Sequence, residues 1–212
     1  MYYVKEWKGI YMKKIGIMLG VFNPPHNFHF TIANEILKNN SDIEKIIFVP
    51  TNDTYSKPDV INSKHRFNML KIICDKNPNL EVSRFEIDSE KQPYSEETLE
   101  HFTKLYPDHK ISLIIGSDNI KTFNTWHNYP SILEKYSPIV FERDNDSLNS
   151  IINNTDFLKP YKNFIKSSKC CISSDLSATK VRNRIKNNLS IDNYVPDEIK
   201  DYINKNKLYL SN

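Results

Sequence analysis

Two histidines, His26 and His29, stand three positions apart near the start of the chain, directly after the proline-rich loop 20–25. Residues three apart share one face of a helix, so both imidazoles can project from the same surface. The start of a helix adds unpaired N–H groups and a positive partial charge. The pair therefore predicts a binding site for a polyanion, although an isolated H-x-x-H is more often a helix cap with two surface histidines.

A second group of candidate ligands occurs in the segment LSATKVRNRIK at 176–186. Ser177 is a favoured N-cap residue, Thr179 falls in the first helical turn, and Arg182 lies one turn further on the same side. Hydroxyls, backbone N–H groups and a guanidinium in this arrangement can bind phosphate, but an ordinary capped surface helix would look the same. The chain has neither a P-loop nor a G-x-G-x-x-G motif, so phosphate binding would need both segments.

Short apolar runs that alternate with helical patterns define the elements that would carry these residues. Strands are predicted at 14–19, 44–49, 80–83, 110–115, 137–141 and 169–172, and helices at 28–39, 63–75, 95–105, 177–187 and 196–206. Strands joined by helical crossovers predict an α/β fold, with a Rossmann-like parallel sheet and helices on both faces. Ligands of such sheets bind beyond the carboxyl ends of the strands, which is where loop 20–25 lies.

The length of 212 residues is compatible with a single domain. We assign residues 12–212 to a single domain and residues 1–11 to an N-terminal extension ahead of the first strand. The polar stretch 143–168 is expected to be an irregular insertion.

Composition argues against several classes of protein. Hydrophobic residues make up 39% of the chain, but no apolar run approaches the ~20 residues of a membrane-spanning helix, so no membrane partner is expected. The formal net charge is only +3, and the basic residues are dispersed, so no nucleic-acid partner is expected. The three cysteines form no CxxC pair and no zinc spacing, which favours reduced thiols and a cytoplasmic location.

Six segments, taken in order, carry a more specific pattern than either phosphate-binding candidate alone. They are GVFNPPHNFH, KHRFNML, PYSEETL, LIIGSDNIKTFNTWHNY, LSATKVRNRI and YVPDEIKDYINKNKLY. They resemble the motifs GGTFDPxHxGH, HRxxML, SYTxxTL, FIIGADxxxxLxxWxxW, ISSTxIRxxI and LVPxxVxxYIxxxxLY of the nicotinate/nicotinamide mononucleotide adenylyltransferase family, within the H-x-G-H nucleotidyltransferases. The likeness is greatest to nicotinate-nucleotide adenylyltransferases and extends over nearly the whole chain from Lys13.

Five positions depart from the family's motifs. Leu19 replaces a glycine, Val21 replaces a threonine or serine, and Phe28 replaces the glycine of H-x-G-H. Asn23 replaces an aspartate and Ala178 replaces a serine. The nicotinamide mononucleotide branch of the family carries Asn-Pro and a bulky residue before its second histidine, so the changes at Asn23 and Phe28 are compatible with activity.

The resemblance implies a catalytic role for His26, His29 and Arg182, which would neutralise charge as pyrophosphate leaves. The implied ATP-binding residues are Gly20, Val21, Phe22, His26, His29, Gly116, Asp118, Ser177, Thr179 and Arg182. Asp118 would accept a ribose hydroxyl, unless it only caps the helix that follows. Mg²⁺ carried with ATP is the expected cofactor, and no metal site built by the protein itself is expected.

The second substrate, a mononucleotide, would contact Asn23, Lys57, Thr98 and Trp126. By resemblance, Thr98 would lie near the carboxylate of a pyridine ring. Trp126 would stack on that ring, or it is only a half-buried aromatic residue. Lys57 would meet an anion, or it is only a solvated lysine. Arg66, in the KHRFNML segment, is assigned no part in binding and is a candidate for a structural role.

The implied reaction joins nicotinate mononucleotide to ATP by direct in-line attack and gives nicotinate adenine dinucleotide and pyrophosphate in NAD biosynthesis. ATP and the mononucleotide are the expected partners, and a homo-oligomer is left open. One alternative is a preference for nicotinamide mononucleotide. Another is a different adenylyltransferase of the superfamily, such as a pantetheine-phosphate adenylyltransferase, and the last is a non-catalytic nucleotide-binding module.

Overall fold

Six strands form one parallel sheet in the computed structural model, which describes residues 12–55, 59–142, 147–168 and 175–210. The strands are β1 (Lys14–Gly20), β2 (Ile43–Pro50), β3 (Leu80–Val82), β4 (Lys110–Gly116), β5 (Ile139–Phe141) and β6 (Lys166–Ser167). Their order across the sheet is β3-β2-β1-β4-β5-β6, and every neighbouring pair is parallel. The predicted Rossmann-like parallel sheet is therefore confirmed.

Eight α-helices in the described residues connect and follow these strands. They are α1 (Asn27–Asn39), α2 (Ser63–Cys74), α3 (Ser95–Leu105), α4 (Ser117–Ile120), α5 (Tyr129–Tyr136), α6 (Leu148–Asn154), α7 (Ala178–Lys186) and α8 (Asp197–Lys205), with 3₁₀ turns at Phe123–Thr125 and Asp156–Tyr161. None of these helices combines the length and the apolar character that crossing a membrane requires.

Helices cover both faces of the sheet, and each face has its own hydrophobic core. Buried side chains of α1, α2, α7 and α8 pack on one face, and those of α3, α5 and α6 pack on the other. The strands supply both cores, since Ile46 and Phe48 of β2 point to the first while Ile47 and Val49 point to the second. Burial on both faces explains why these strands read as unbroken apolar runs.

The polar stretch 143–168 was expected to be an irregular insertion, and the part of it that the structure describes is not irregular. Its described part, 147–168, contains α6, a 3₁₀ turn and strand β6. Leu148, Ile151 and Ile152 are buried in the core formed with α3 and α5. Their spacing of three and four residues is a helical signal that the high asparagine content of the segment obscured.

Two further expectations concern segments near the ends of the chain. The last strand was expected at 169–172, which lies outside the described residues; the strand that pairs with β5 is Lys166–Ser167, slightly earlier in the chain. The proposed extension 1–11 also lies outside the described residues.

Helix α5 was not predicted, because eight residues with a proline near the start give little periodic pattern.

Candidate active site

An open cleft of about 370 Å³ lies at the carboxyl ends of β1 and β4. These strands are neighbours, but β1 is followed in the chain by β2 on one side and β4 by β5 on the other. The cleft is thus at the point where the order of the sheet reverses, the usual ligand site of such folds. Nine of the predicted site residues line it: Gly20, Val21, Phe22, His26, His29, Gly116, Asp118, Trp126 and Ser177.

The loop after β1 turns sharply to bring its backbone to this cleft. Phe22 adopts a left-handed conformation, with φ of 51°, and its buried ring meets the ring of His29 edge-on with centroids 5.0 Å apart. A Cβ atom on Gly20 would lie 3.1 Å from the Phe22 ring. Glycine at position 20 therefore lets Phe22 fold beneath the histidine and form the floor of the site.

The two histidines are held as one unit at the start of α1. His26 is the N-cap residue and His29 follows in the first turn. Their rings stack with centroids 3.7 Å apart, and the backbone N–H of His26 donates to Nδ1 of His29 at 3.1 Å. Because Nδ1 of His29 accepts this bond, the proton of its neutral ring is on Nε2, which makes Nε2 a hydrogen-bond donor.

Asp118 lies across the cleft from the histidine loop, just beyond β4. Its exposed side chain folds over Gly116, where a Cβ atom would overlap the Asp118 carboxylate. Gly116, and not Asp118, occupies the N-cap position of α4. Asp118 is therefore not the N-cap residue of α4, and it lines the cleft.

The segment 176–186 reaches the same region from near the end of the chain. Ser177 is the N-cap of α7, as predicted, and its Oγ accepts from the backbone N–H of Lys180 at 3.2 Å. Arg182 donates from Nη1 to the backbone oxygen of Asn23 at 2.9 Å and from Nη2 to Oγ1 of Thr179 at 3.2 Å. Ser177 lines the cleft, whereas Thr179 and Arg182 do not. Arg182 contacts the histidine loop through Asn23 and lines a separate pocket together with Asp59 and Tyr209.

Comparison with known proteins identifies the family. The Cytidylyltransferase-like family model matches residues 17–184. A relative from Clostridium tetani, named probable nicotinate-nucleotide adenylyltransferase, is 32% identical over 93% of this chain and 100% of its own length. A relative of the same name from Cytophaga hutchinsonii is 33% identical over 92% of this chain and 98% of its own length. The chain belongs to the nicotinate-nucleotide adenylyltransferase family.

Solved structures share the fold of this nicotinate-nucleotide adenylyltransferase family member. Nicotinic acid mononucleotide adenylyltransferase of Plasmodium falciparum, in complex with APC, superposes with a TM-score of 0.72 at 20% identity. The alignment covers 93% of this chain and 97% of that one. The same enzyme in complex with NaAD gives a TM-score of 0.71.

Asn23, at a position where adenylyltransferases of this family usually have aspartate, is not placed as a mononucleotide ligand. Its side chain is 4% exposed and does not line the cleft. The amide Nδ2 donates to the backbone oxygen of Asp59 at 2.7 Å, and Oδ1 accepts from the backbone N–H of Ile61 at 3.3 Å and from the hydroxyl of Tyr209 at 3.0 Å. These bonds direct the amide into the protein, so the expected role is corrected to a structural one.

Thr98 is also not at the cleft of this adenylyltransferase. Helix α3 turns Thr98 inward, where the residue is fully buried. Its hydroxyl donates to Oε1 of the buried Glu86 at 2.8 Å, and Gln92 donates to the other oxygen at 2.7 Å. Burial raises the pKa of Glu86. The hydroxyl of Thr98 thus donates a hydrogen bond to a buried carboxyl group and does not face a ligand.

Trp126 is the mononucleotide candidate that the structure brings to the cleft. It follows the 3₁₀ turn Phe123–Thr125, is half-buried, and packs on Phe123 with ring centroids 4.6 Å apart. One side of the indole is therefore supported by the core while the residue lines the cleft. Lys57 lies outside the described residues.

Phe28, the residue in place of the glycine of H-x-G-H, lines the cleft beside Phe141. Its ring is buried and meets that of Phe141 edge-on with centroids 6.2 Å apart. Phe28 therefore packs α1 against the end of β5. This contact accounts for a bulky side chain at a position where the family usually has glycine.

Arg66 is a structural residue of the site, in agreement with the sequence-based interpretation. Its guanidinium is fully buried and donates to the backbone oxygens of Val21 at 2.8 Å, Thr51 at 2.7 Å and Ile61 at 3.0 Å. Burial lowers its pKa, and Asp53 partly opposes this. Arg66 thus ties the loop after β1 to the loop after β2.

Proposed function

We propose that the protein transfers the adenylyl group of ATP to nicotinate mononucleotide, which gives nicotinate adenine dinucleotide and pyrophosphate in NAD biosynthesis. The observation that carries this proposal is the convergence of His26, His29, Asp118 and Ser177 on one cleft in a chain of the nicotinate-nucleotide adenylyltransferase family. A structural neighbour in complex with NaAD supports the same product.

ATP would lie across the carboxyl ends of β1 and β4. The Asp118 carboxylate would accept a ribose hydroxyl, and the backbone of Gly20, Val21 and Phe22 would lie along the nucleotide. Charge-assisted acceptance by a carboxylate is among the stronger hydrogen bonds, so Asp118 would contribute more than a neutral group to nucleotide affinity. Gly116 leaves the space that this carboxylate occupies.

The phosphates would be bound from two sides. His29 would donate from Nε2, with its ring oriented by the His26 backbone, and His26 would act from the same face. Ser177 and the start of α7 add N–H groups and a positive partial charge. Arg182 uses two of its five N–H donors on Asn23 and Thr179, so others would serve the β- and γ-phosphates.

The chemistry needs neither a general base nor a covalent intermediate. The attacking group is the phosphate of the mononucleotide, which is already anionic at neutral pH. The protein has to align it with the α-phosphorus and stabilise the charge that develops as pyrophosphate leaves. His26, His29 and Arg182 would carry out that second task.

Mg²⁺ would enter with ATP. In the part of the chain that the structure describes, no three His, Cys, Asp or Glu side chains are grouped so that they could hold a metal ion. Phosphate oxygens and water, the ligands that Mg²⁺ prefers, would therefore provide most of its coordination. When bound, the ion would shield the negative charge of the phosphates.

The mononucleotide would place its pyridine ring on Trp126. Lys57 stays a predicted anion contact for this substrate. A cytoplasmic location likewise stays a prediction, as does the absence of nucleic-acid partners, and a homo-oligomeric assembly stays open.

Product analysis tests this function. Purified protein with ATP and Mg²⁺ is incubated with nicotinate mononucleotide, nicotinamide mononucleotide or phosphopantetheine, and dinucleotide and pyrophosphate are quantified. We expect equal amounts of nicotinate adenine dinucleotide and pyrophosphate, and no exchange of labelled pyrophosphate into ATP without mononucleotide. Product only with phosphopantetheine, or with no acceptor, would refute the proposal, and exchange without acceptor would refute direct attack.

A further inference from the structure

Asn23 connects four separate segments of the chain. Its side chain binds the backbone of Asp59 and Ile61 in the loop before α2, and its Oδ1 accepts from Tyr209 near the end of the chain. Its backbone oxygen accepts from Arg182 of α7. The residue itself belongs to the loop that leads to His26, so one residue, through its side chain and its backbone oxygen, joins the histidine loop, the arginine and the C-terminal segment.

The hydroxyl of Tyr209 holds the side-chain amide of Asn23 in one orientation. The residue is 8% exposed and has a φ of 64°, a left-handed conformation that directs its side chain under the histidine loop. Burial raises the pKa of its hydroxyl, so the group stays a donor throughout the physiological range. Because Oδ1 of Asn23 accepts this hydrogen bond at 3.0 Å, Nδ2 is left to donate to Asp59.

We propose that Tyr209 is a positioning residue for ATP: its hydroxyl fixes Asn23, and Asn23 fixes Arg182 relative to the histidines. This proposal rests on the function proposed above. If the hydroxyl is lost, Asn23 loses one of two partners on Oδ1, and the loop segment that accepts from Arg182 becomes less restrained. The two halves of the phosphate site would then be held less accurately, while the mononucleotide side at Trp126 would be unaffected.

A second tyrosine provides a matched control. Tyr202 lies in α8, in the same C-terminal part of the chain. Its hydroxyl also makes partly buried hydrogen bonds, one with Nδ1 of His65 at 3.0 Å and one accepted from Nδ2 of Asn68 at 3.1 Å. Both partners belong to α2, and none of the three lines the cleft. Tyr202→Phe therefore removes a comparable bond that has no connection to Arg182.

The test compares Tyr209→Phe with Tyr202→Phe in the full chain. One neutral hydrogen bond within the protein corresponds to about threefold to tenfold in an equilibrium constant, which sets the largest effect that its loss can pass on to ATP binding. We expect Tyr209→Phe to raise the KM for ATP, and the Kd of ATP alone in calorimetry, by about that factor, with the KM for mononucleotide changed by less than about twofold. Tyr202→Phe should change only the melting temperature.

A double variant tests whether the effect passes through Asn23. Adding Tyr209→Phe to Asn23→Ala should leave the Kd of ATP unchanged, since the hydroxyl then has no amide to orient. The proposal is overturned if Tyr209→Phe lowers the melting temperature without changing ATP affinity, if both KM values rise equally, or if the two substitutions act independently. The Kd of ATP is read without turnover, so a failure of the proposed reaction would be seen separately.

Discussion

The rings of His26 and His29 stack at a centroid distance of 3.7 Å, and the backbone N–H of His26 fixes Nδ1 of His29. Each histidine thereby orients the other at the start of α1. In the same loop, the backbone oxygen of Asn23 accepts a hydrogen bond from Arg182, which lies 159 residues further along the chain. A phosphate chain in the cleft would therefore meet groups whose directions are set before it binds, which is the condition for effective stabilisation of a transition state.

Replacing either histidine by alanine should slow turnover by about 100-fold while the protein stays folded, since a preorganised donor to the departing phosphates is lost. The variants are His26→Ala and His29→Ala, with kcat measured by pyrophosphate release and folding by circular dichroism. His109→Ala is the control, because His109 is remote from the cleft and contacts Glu44 at 3.5 Å. Near-normal kcat in a folded His29→Ala variant would remove the histidine from the mechanism.

Gly116→Ala should raise the KM for ATP by about tenfold, because the new Cβ overlaps the Asp118 carboxylate and displaces it. The comparison is Gly16→Ala, whose Cβ crowds the side chains of Ile114 and Ile46 within the sheet. That variant should lose stability in urea unfolding but keep its KM for ATP. Equal KM values for the two variants would mean that Asp118 does not contact the nucleotide.

Trp126→Ala should raise the KM for the mononucleotide by about tenfold and the KM for ATP by much less, because only one substrate would lose a stacking surface. Initial rates with each substrate varied in turn would measure this. Phe123→Leu is a useful companion, because Phe123 is fully buried and supports the indole at 4.6 Å without lining the cleft. If Trp126→Ala affects both substrates equally, the pyridine site lies elsewhere.

Glu86 should make stability depend on pH. Burial raises its pKa above the ordinary 4.5, and the hydrogen bonds from Gln92 and Thr98 oppose this. The folded protein then keeps the proton to a higher pH than the unfolded chain. The stabilisation is therefore complete below about pH 4.5 and is lost as the pH rises through the folded pKa.

Glu86→Gln, which stays neutral, should remove that loss. Urea unfolding from about pH 4 to pH 7.5 should show the free energy of unfolding of Glu86→Gln rising relative to wild type as the pH increases, and then levelling off. The exposed Glu90 supplies a control, and Glu90→Gln should give a difference that is flat with pH. A flat difference for Glu86→Gln as well would show that Glu86 is ionised normally in the folded state.

The sheet and the cleft could be predicted from sequence because they depend on local pattern. Apolar runs such as that of β2 reveal strands buried on both faces, and the position of Gly20 directly after β1 places its loop at the ligand-binding edge. Helix α5 could not be read as easily, since a short helix with a proline near its start carries little periodicity, and the helical spacing of α6 was obscured by its asparagines.

Side-chain direction is what the motifs did not reveal. Asn23 and Thr98 both belong to segments that resemble family motifs, but their side chains point into the protein toward Asp59 and Glu86. The contact between Tyr209 and Asn23 joins residues 186 positions apart. A pairing of that kind depends on the packed fold and leaves no trace in local spacing.

The most direct measurement is kcat/KM for nicotinate mononucleotide against nicotinamide mononucleotide, with saturating ATP and Mg²⁺ and with dinucleotide formation as the readout. We expect at least about a tenfold preference for the nicotinate form, equivalent to about 1.4 kcal/mol in transition-state binding. Equal rates with the two mononucleotides, or faster reaction with the nicotinamide form, would contradict it.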